Sequence, residues 1–233
     1  MKAPLKKYFK DTRRPIYSAA LLLPFFVLYH AGTFFLDTTY VNGADALIVR
    51  LLATLSVHSV FASAIVLLLC FTIWQLRTRA SWKVEPLRVF ALFLESLIFA
   101  LILFALFGWL SVHLSRPAPV ELAAHQKLIL YCGAGIYEEL VFRGFLLGLL
   151  VLGFTHISGW KKTSATISAA LVASLLFSLF HYIGPASDRF TLASFVQRAL
   201  GGLYFSALFL TRGFGVTAAS HALYDILVGI SLL

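Results

Sequence analysis

Glu138-Glu139-Leu140-Val141-Phe142-Arg143 places two carboxylates and a guanidinium inside a run that is otherwise apolar from Leu128 to Phe154. A run of that length reads as a membrane span, for which about 20 apolar residues suffice. Ionisable side chains at bilayer depth cost roughly 2.5–3.5 kcal/mol each, so they face a bundle interior or an aqueous cavity. On a helix Glu139 and Arg143 are spaced i, i+4 and share a face on which they can pair. Glu138 is turned about 100° from Glu139 and need not share that arginine. One carboxylate is thus committed and the other is available for chemistry.

The rest of the chain supplies the bundle. Of 233 residues, 60% are hydrophobic and 12% charged, with a mean hydropathy of +0.89; a soluble domain carries about 25% charged residues. The apolar residues fall in long runs, so the fold class is all-α, a polytopic transmembrane bundle of about seven spans. These cover about 15–36, 46–76, 89–114, the motif-bearing run ending near 154, 163–183, 190–210, and 214 to the C-terminus. Turn signals at Asn42-Gly43, Arg116-Pro117-Ala118-Pro119 and Gly184-Pro185 separate some of them. The organisation is a basic tail (1–14), a three-span region (15–119) and a helical core (120–233). Gly144 and Gly148 form a small-xxx-small pair expected to permit close helix packing.

The net charge of +9 does not point to nucleic acid, because the basic residues cluster at span ends, where topology and anionic lipid account for them. They concentrate in the tail (Lys2, Lys6, Lys7, Lys10, Arg13, Arg14) and after spans two, four and six. This predicts a cytoplasmic N-terminus, in a prokaryotic plasma (inner) membrane given the compact chain. Cys70 and Cys132 lack ligand-like spacing and read as packing residues.

Two further polar groups lie in predicted spans: Phe177-Ser178-Leu179-Phe180-His181, and His221-Ala222-Leu223-Tyr224-Asp225, where His221 and Asp225 are again i, i+4. A bundle can gather all three groups into one interior site. The chemistry that suits them is water activation: a sheltered carboxylate serves as general base, a histidine shares or passes the proton, and further donors hold the oxyanion. GxSxG is absent and neither cysteine adjoins a histidine, so water is the economical nucleophile.

Glu138-Glu139-x-x-x-Arg143, Phe177-x-x-x-His181 and His221-x-x-x-Asp225 together resemble the three ordered motifs of the CPBP family. This family comprises the CAAX-prenyl-endopeptidase-like and bacteriocin-processing (Abi) intramembrane proteases, and the resemblance covers roughly residues 120–233. It implies a glutamic protease in which Glu138 and His181 activate water and His221 and Asp225 serve the oxyanion, with Glu139 and Arg143 supporting the site. The prenyl-processing members have Asn where this chain has Asp225. An ionised Asp has no proton to donate, which leaves it the alternative of orienting His221.

The implied partners are the lipid bilayer and a membrane-associated peptide or protein, such as a lipidated one or one with a membrane-embedded terminus. No cofactor is expected. Zinc remains the alternative, since Glu, His and Asp are zinc ligands, although HExxH is missing and the ligands would come from separate spans. A non-catalytic immunity or scaffold protein of the same fold and an ion-coupled transporter are the other readings. His30, His58, His113, His125 and His156 read as interfacial or hydrogen-bonded. Glu95 reads as half of a structural pair, and Gln197 and Arg198 as interfacial.

Overall fold

The computed structural model describes residues 3–35, 41–57, 59, 61–114, 122–184 and 187–231. Among them are nine helices and no strand: α1 (Ala3–Asp11), α2 (Pro15–Phe35), α3 (Gly43–Ala53), α4 (Ala62–Thr78), α5 (Pro86–Leu114), α6 (Ala124–Ile157), α7 (Lys162–Phe180), α8 (Leu192–Arg212) and α9 (Phe214–Ser231). Five of these, α2, α5, α6, α7 and α9, are long and apolar enough to cross a bilayer, while α4 is apolar but shorter. The chain is an integral membrane protein. Seven crossings require that α4 and the less apolar α8 cross as well. The Arg116–Pro119 break, Pro185, His58 and the side chain of His113 lie outside the described residues.

The expected second span is not one helix. Residues 46–76 divide into α3 and α4, with a turn between them in which Ser56 has φ 62°. The Thr54 hydroxyl donates to the Leu51 carbonyl at 2.6 Å and Ser59 Oγ accepts from the Phe61 amide at 3.2 Å. Such local side-chain bonds compete with the helical ladder. At 11 residues α3 is about 16 Å long, too short to span, and it packs against the motif segment of α6 instead.

The most enclosed span is α9, which packs against α2, α5, α6 and α8. Ala218, Ala219 and Ala222 on it are fully buried. A Cβ on Gly135 of α6 would lie 2.5 Å from the Ala218 carbonyl oxygen and 2.7 Å from the Ala222 nitrogen. Small residues let the two backbones approach, and this approach sets His221 beside Glu138-Glu139. The expected role of Gly144 and Gly148 is therefore corrected. A Cβ at Gly148 would meet nothing within 4 Å, and one at Gly144 only its own helix. Gly144 instead lines an apolar cavity of about 250 Å³ with Leu67, Cys70, Trp74 and Phe214.

The basic tail is not a free segment. It forms α1, which a buried cluster ties to the bundle. Arg212 donates to both oxygens of Glu95, through Nη2 to Oε2 at 2.8 Å and through Nε to Oε1. Nη2 also donates to Thr12 at 3.2 Å, and the Tyr8 hydroxyl donates to Glu95 at 3.0 Å. Burial and the adjacent Glu95 carboxylate push the Tyr8 phenol up to about 12, which keeps its proton in place. At the surface, the Arg88 guanidinium bonded to Asp11 at 2.6 Å holds that carboxyl below its usual range. Glu95 thus has the structural partner expected of it, whereas Arg212, expected in a cytoplasmic loop, is only 7% exposed.

By helix rise alone His221 lies only about 10 Å from the start of its span and His181 close to the far end of its own. The pairing of Arg212 with Glu95 accounts for how they meet. Glu95 lies nine residues into α5, about 14 Å from its start, and it draws the α8–α9 turn, closed at Gly213 with φ 86°, to that depth. His221, seven residues further, is then about 24 Å deep, close to the roughly 28 Å that separates His181 from the start of α7. Replacing Arg212 by Met strands Glu95, at a cost of about 3 kcal/mol. The expected result is release of α1, read as faster proteolysis at Arg13 and Arg14. An unchanged digestion rate would contradict this account.

Candidate active site

All six residues singled out in the sequence converge. Along the motif α6 widens into π-type turns at Ala134–Glu138 and again at Leu140–Leu147. These are rare departures from the regular helix assumed above, and they are frequent at functional sites. Glu139 and Arg143 still pair across i, i+4, at 2.8 Å between Oε1 and Nη1, with both side chains fully buried. Arg143 Nη2 donates to the Gly202 carbonyl at 3.0 Å, and its guanidinium lies 4.5 Å over the Phe177 ring. The same Glu139 Oε1 accepts from His221 Nδ1 at 2.8 Å. The imidazole is stacked on Phe205 with ring centroids 4.5 Å apart.

Glu138 points elsewhere, as its rotation on the helix requires. Its Oε2 lies 3.9 Å from Nε2 of His181 and 3.9 Å from Nε2 of His221. These distances are too long for direct hydrogen bonds, and one oxygen atom held between the groups can bridge them. His181 Nδ1 is 2.9 Å from the Phe177 carbonyl oxygen. A carbonyl only accepts, so Nδ1 carries the proton and a neutral His181 presents its Nε2 lone pair to Glu138. His221 likewise commits Nδ1–H to Glu139 and turns Nε2 toward Glu138.

Two residues sit differently from expectation. Asp225 Oδ2 is 3.6 Å from His221 Nε2, beyond hydrogen-bond reach. The contact that orients the ring comes from Glu139, through Nδ1. Arg198, read as interfacial, has defined partners. It donates to Asp188 at 2.5 Å and to the Tyr182 hydroxyl at 3.0 Å, and the Asp188 amide donates to the His181 carbonyl at 2.9 Å. Arg198 therefore braces the segment that follows His181.

One contact was not foreseen. Asn42, 9% exposed, donates from Nδ2 to Glu138 Oε1 at 2.8 Å. In the sequence it signals only a turn, and nothing local links it to a residue 96 positions away. Among the described residues no group of three or more His, Cys, Asp or Glu is disposed to hold a metal ion.

Two carboxylates, one committed to a buried arginine and one facing two imidazoles, are an arrangement able to activate water. Residues 121–227 match the family described as type II CAAX prenyl endopeptidase Rce1-like. This region belongs to the Rce1-like family. No curated protein and no solved structure is significantly similar to the chain. The Rce1-like region contains all six converging residues and the α6–α9 contact through Gly135. It also contains Gly202 and Phe205, which hold Arg143 and His221 from α8. The match over residues 121–227 supports a CAAX-type membrane endopeptidase, whose chemistry is peptide hydrolysis.

Proposed function

We propose that the protein is a glutamic intramembrane endopeptidase, cleaving a membrane-associated peptide or protein near a membrane-embedded terminus. The observation that carries this reading is Glu138 Oε2 facing both imidazole Nε2 atoms at 3.9 Å. Water seated among these groups gives one proton to Glu138 as its oxygen bonds to the scissile carbonyl carbon. The Nε2 lone pair of His181 accepts the water's other hydrogen and fixes its direction of attack. The oxyanion that forms is held by His221 when Nε2 carries a second proton, with Asp225 facing that nitrogen. Collapse breaks the C–N bond, the proton passes from Glu138 to the leaving amine, and the products are a carboxylic acid, which keeps the water's other hydrogen until it ionises, and an amine. Glu139 and Arg143 hold the His221 ring in register.

The family description supports prenylated C-terminal peptides as the first substrates to try. The basic N-terminal segment supports a cytoplasmic N-terminus. The mechanism uses no metal. The test is incubation of purified protein with prenylated and unmodified peptides, with mass spectrometry to locate the cut, before and after chelation. Cleavage is expected, at a rate unchanged within about twofold by the chelator, since no step in the mechanism draws on a metal. Activity lost on chelation and restored by zinc overturns the metal-independent mechanism. Absence of product from every candidate peptide overturns the protease reading.

A further inference from the structure

We infer that Asn42, the residue capping the start of the short helix α3 and outside the family-matched region, is a positioning residue for the Glu138 carboxylate. The inference rests on the protease reading, but the contact itself is a matter of geometry. Asn42 Oδ1 accepts from the backbone N–H groups of Ala44 and Asp45 at 2.9 and 3.4 Å, capping α3. A backbone N–H can only donate, so the amide orientation is settled and Nδ2 is the atom that faces Glu138 Oε1 at 2.8 Å. One side chain therefore caps a helix and donates to a carboxylate, which neither Asp nor Ser can do over the same span.

The consequence for Glu138 is rotational. The terminal torsion of a glutamate is broad and nearly two-fold, so its two oxygens exchange readily. Asn42 holds Oε1 and leaves Oε2 as the oxygen presented to His181 and His221. Asn42 is itself fixed from behind. Its backbone N–H donates to the Tyr29 hydroxyl at 3.2 Å, and that hydroxyl donates to Asp45 Oδ2 at 2.5 Å. Tyr29 is fully buried and packs against Gly133, where an added Cβ would lie 2.3 Å from the ring.

The test separates capping from positioning. Ser caps helices about as well as Asn, so Asn42→Ser keeps α3 while removing the donor to Glu138. This variant is expected to unfold at the wild-type temperature and to retain KM within about twofold, with kcat lowered about 10–100-fold, as for other residues that orient a reacting group. Wild-type kcat in Asn42→Ser overturns the inference. A second readout does not depend on turnover. Asn42 is the only asparagine in the chain, so labelling with 15N-asparagine gives a single side-chain amide. That resonance is expected to move on Glu138→Gln and to stay in place on Gly148→Ala, a change on the same helix that meets nothing within 4 Å. An amide unmoved by Glu138→Gln overturns the inference. A wild type that cleaves nothing fails the protease reading, and the resonance still decides the contact.

Discussion

Glu138→Gln is expected to lower kcat by about 10²–10⁴-fold, the usual contribution of a positioned general base, with the fold unchanged. The two side chains match in volume, and the Gln carbonyl can accept from Asn42 as the carboxylate does. Removing this negative charge strands no buried cation, because Arg143 is bound to Glu139 and the Gly202 carbonyl. The unfolding temperature in detergent should therefore stay at the wild-type value while peptide product disappears. His181→Ala should fall in the same range, since its Nε2 faces the same oxygen. Efficient cleavage by both variants would sink the mechanism. A non-catalytic protein of this fold would keep its phenotype with Glu138→Gln, and a transporter would show solute flux without peptide product.

Arg143→Met should act on the fold first. The ion pair with Glu139 has no measurable exposure on either side, and removing one member of such a pair costs about 3–5 kcal/mol. The cost is raised because Glu139 Oε2 already lacks a partner, leaving His221 alone to balance the charge. In the double variant Glu139→Leu/Arg143→Met most of that loss should return, since replacing both members by apolar groups is often close to neutral. Activity should not return, because His221 Nδ1 has then lost its acceptor. Thermal unfolding of the two single variants and the double one, with kcat for each, measures both effects. Full activity in the double variant would show that Glu139 does not orient His221.

The two effects are separable because the paired carboxylates have separate duties. Glu139 is a structural anion that binds an arginine and a histidine. Glu138, adjacent in sequence, faces the other way. Helical rotation made that division visible in advance, and it survives the widening of α6 into π-type turns because the rotation between neighbours remains near a quarter turn or more.

What could be read from the chain alone rests on short-range physics. Long apolar runs determine membrane helices, since no other backbone satisfies its own polar groups without a closed barrel. Spacings of four residues determined that Glu139 can reach Arg143, because a helix brings i and i+4 together whatever surrounds it. The contacts that assemble the site and its bundle join residues far apart in sequence: His221 to Glu139 across 82 positions, Asn42 to Glu138 across 96, and Arg212 to Glu95 across 117. No periodicity encodes these, because they depend on how deep each helix sits and which way it is rotated in the bundle. That was decided by packing, through the close approach at Gly135, the break between α3 and α4, and the buried arginine that draws the start of α9 inward. The sequence determined which carboxylate is committed to an arginine; only the tertiary structure decided what the other one faces.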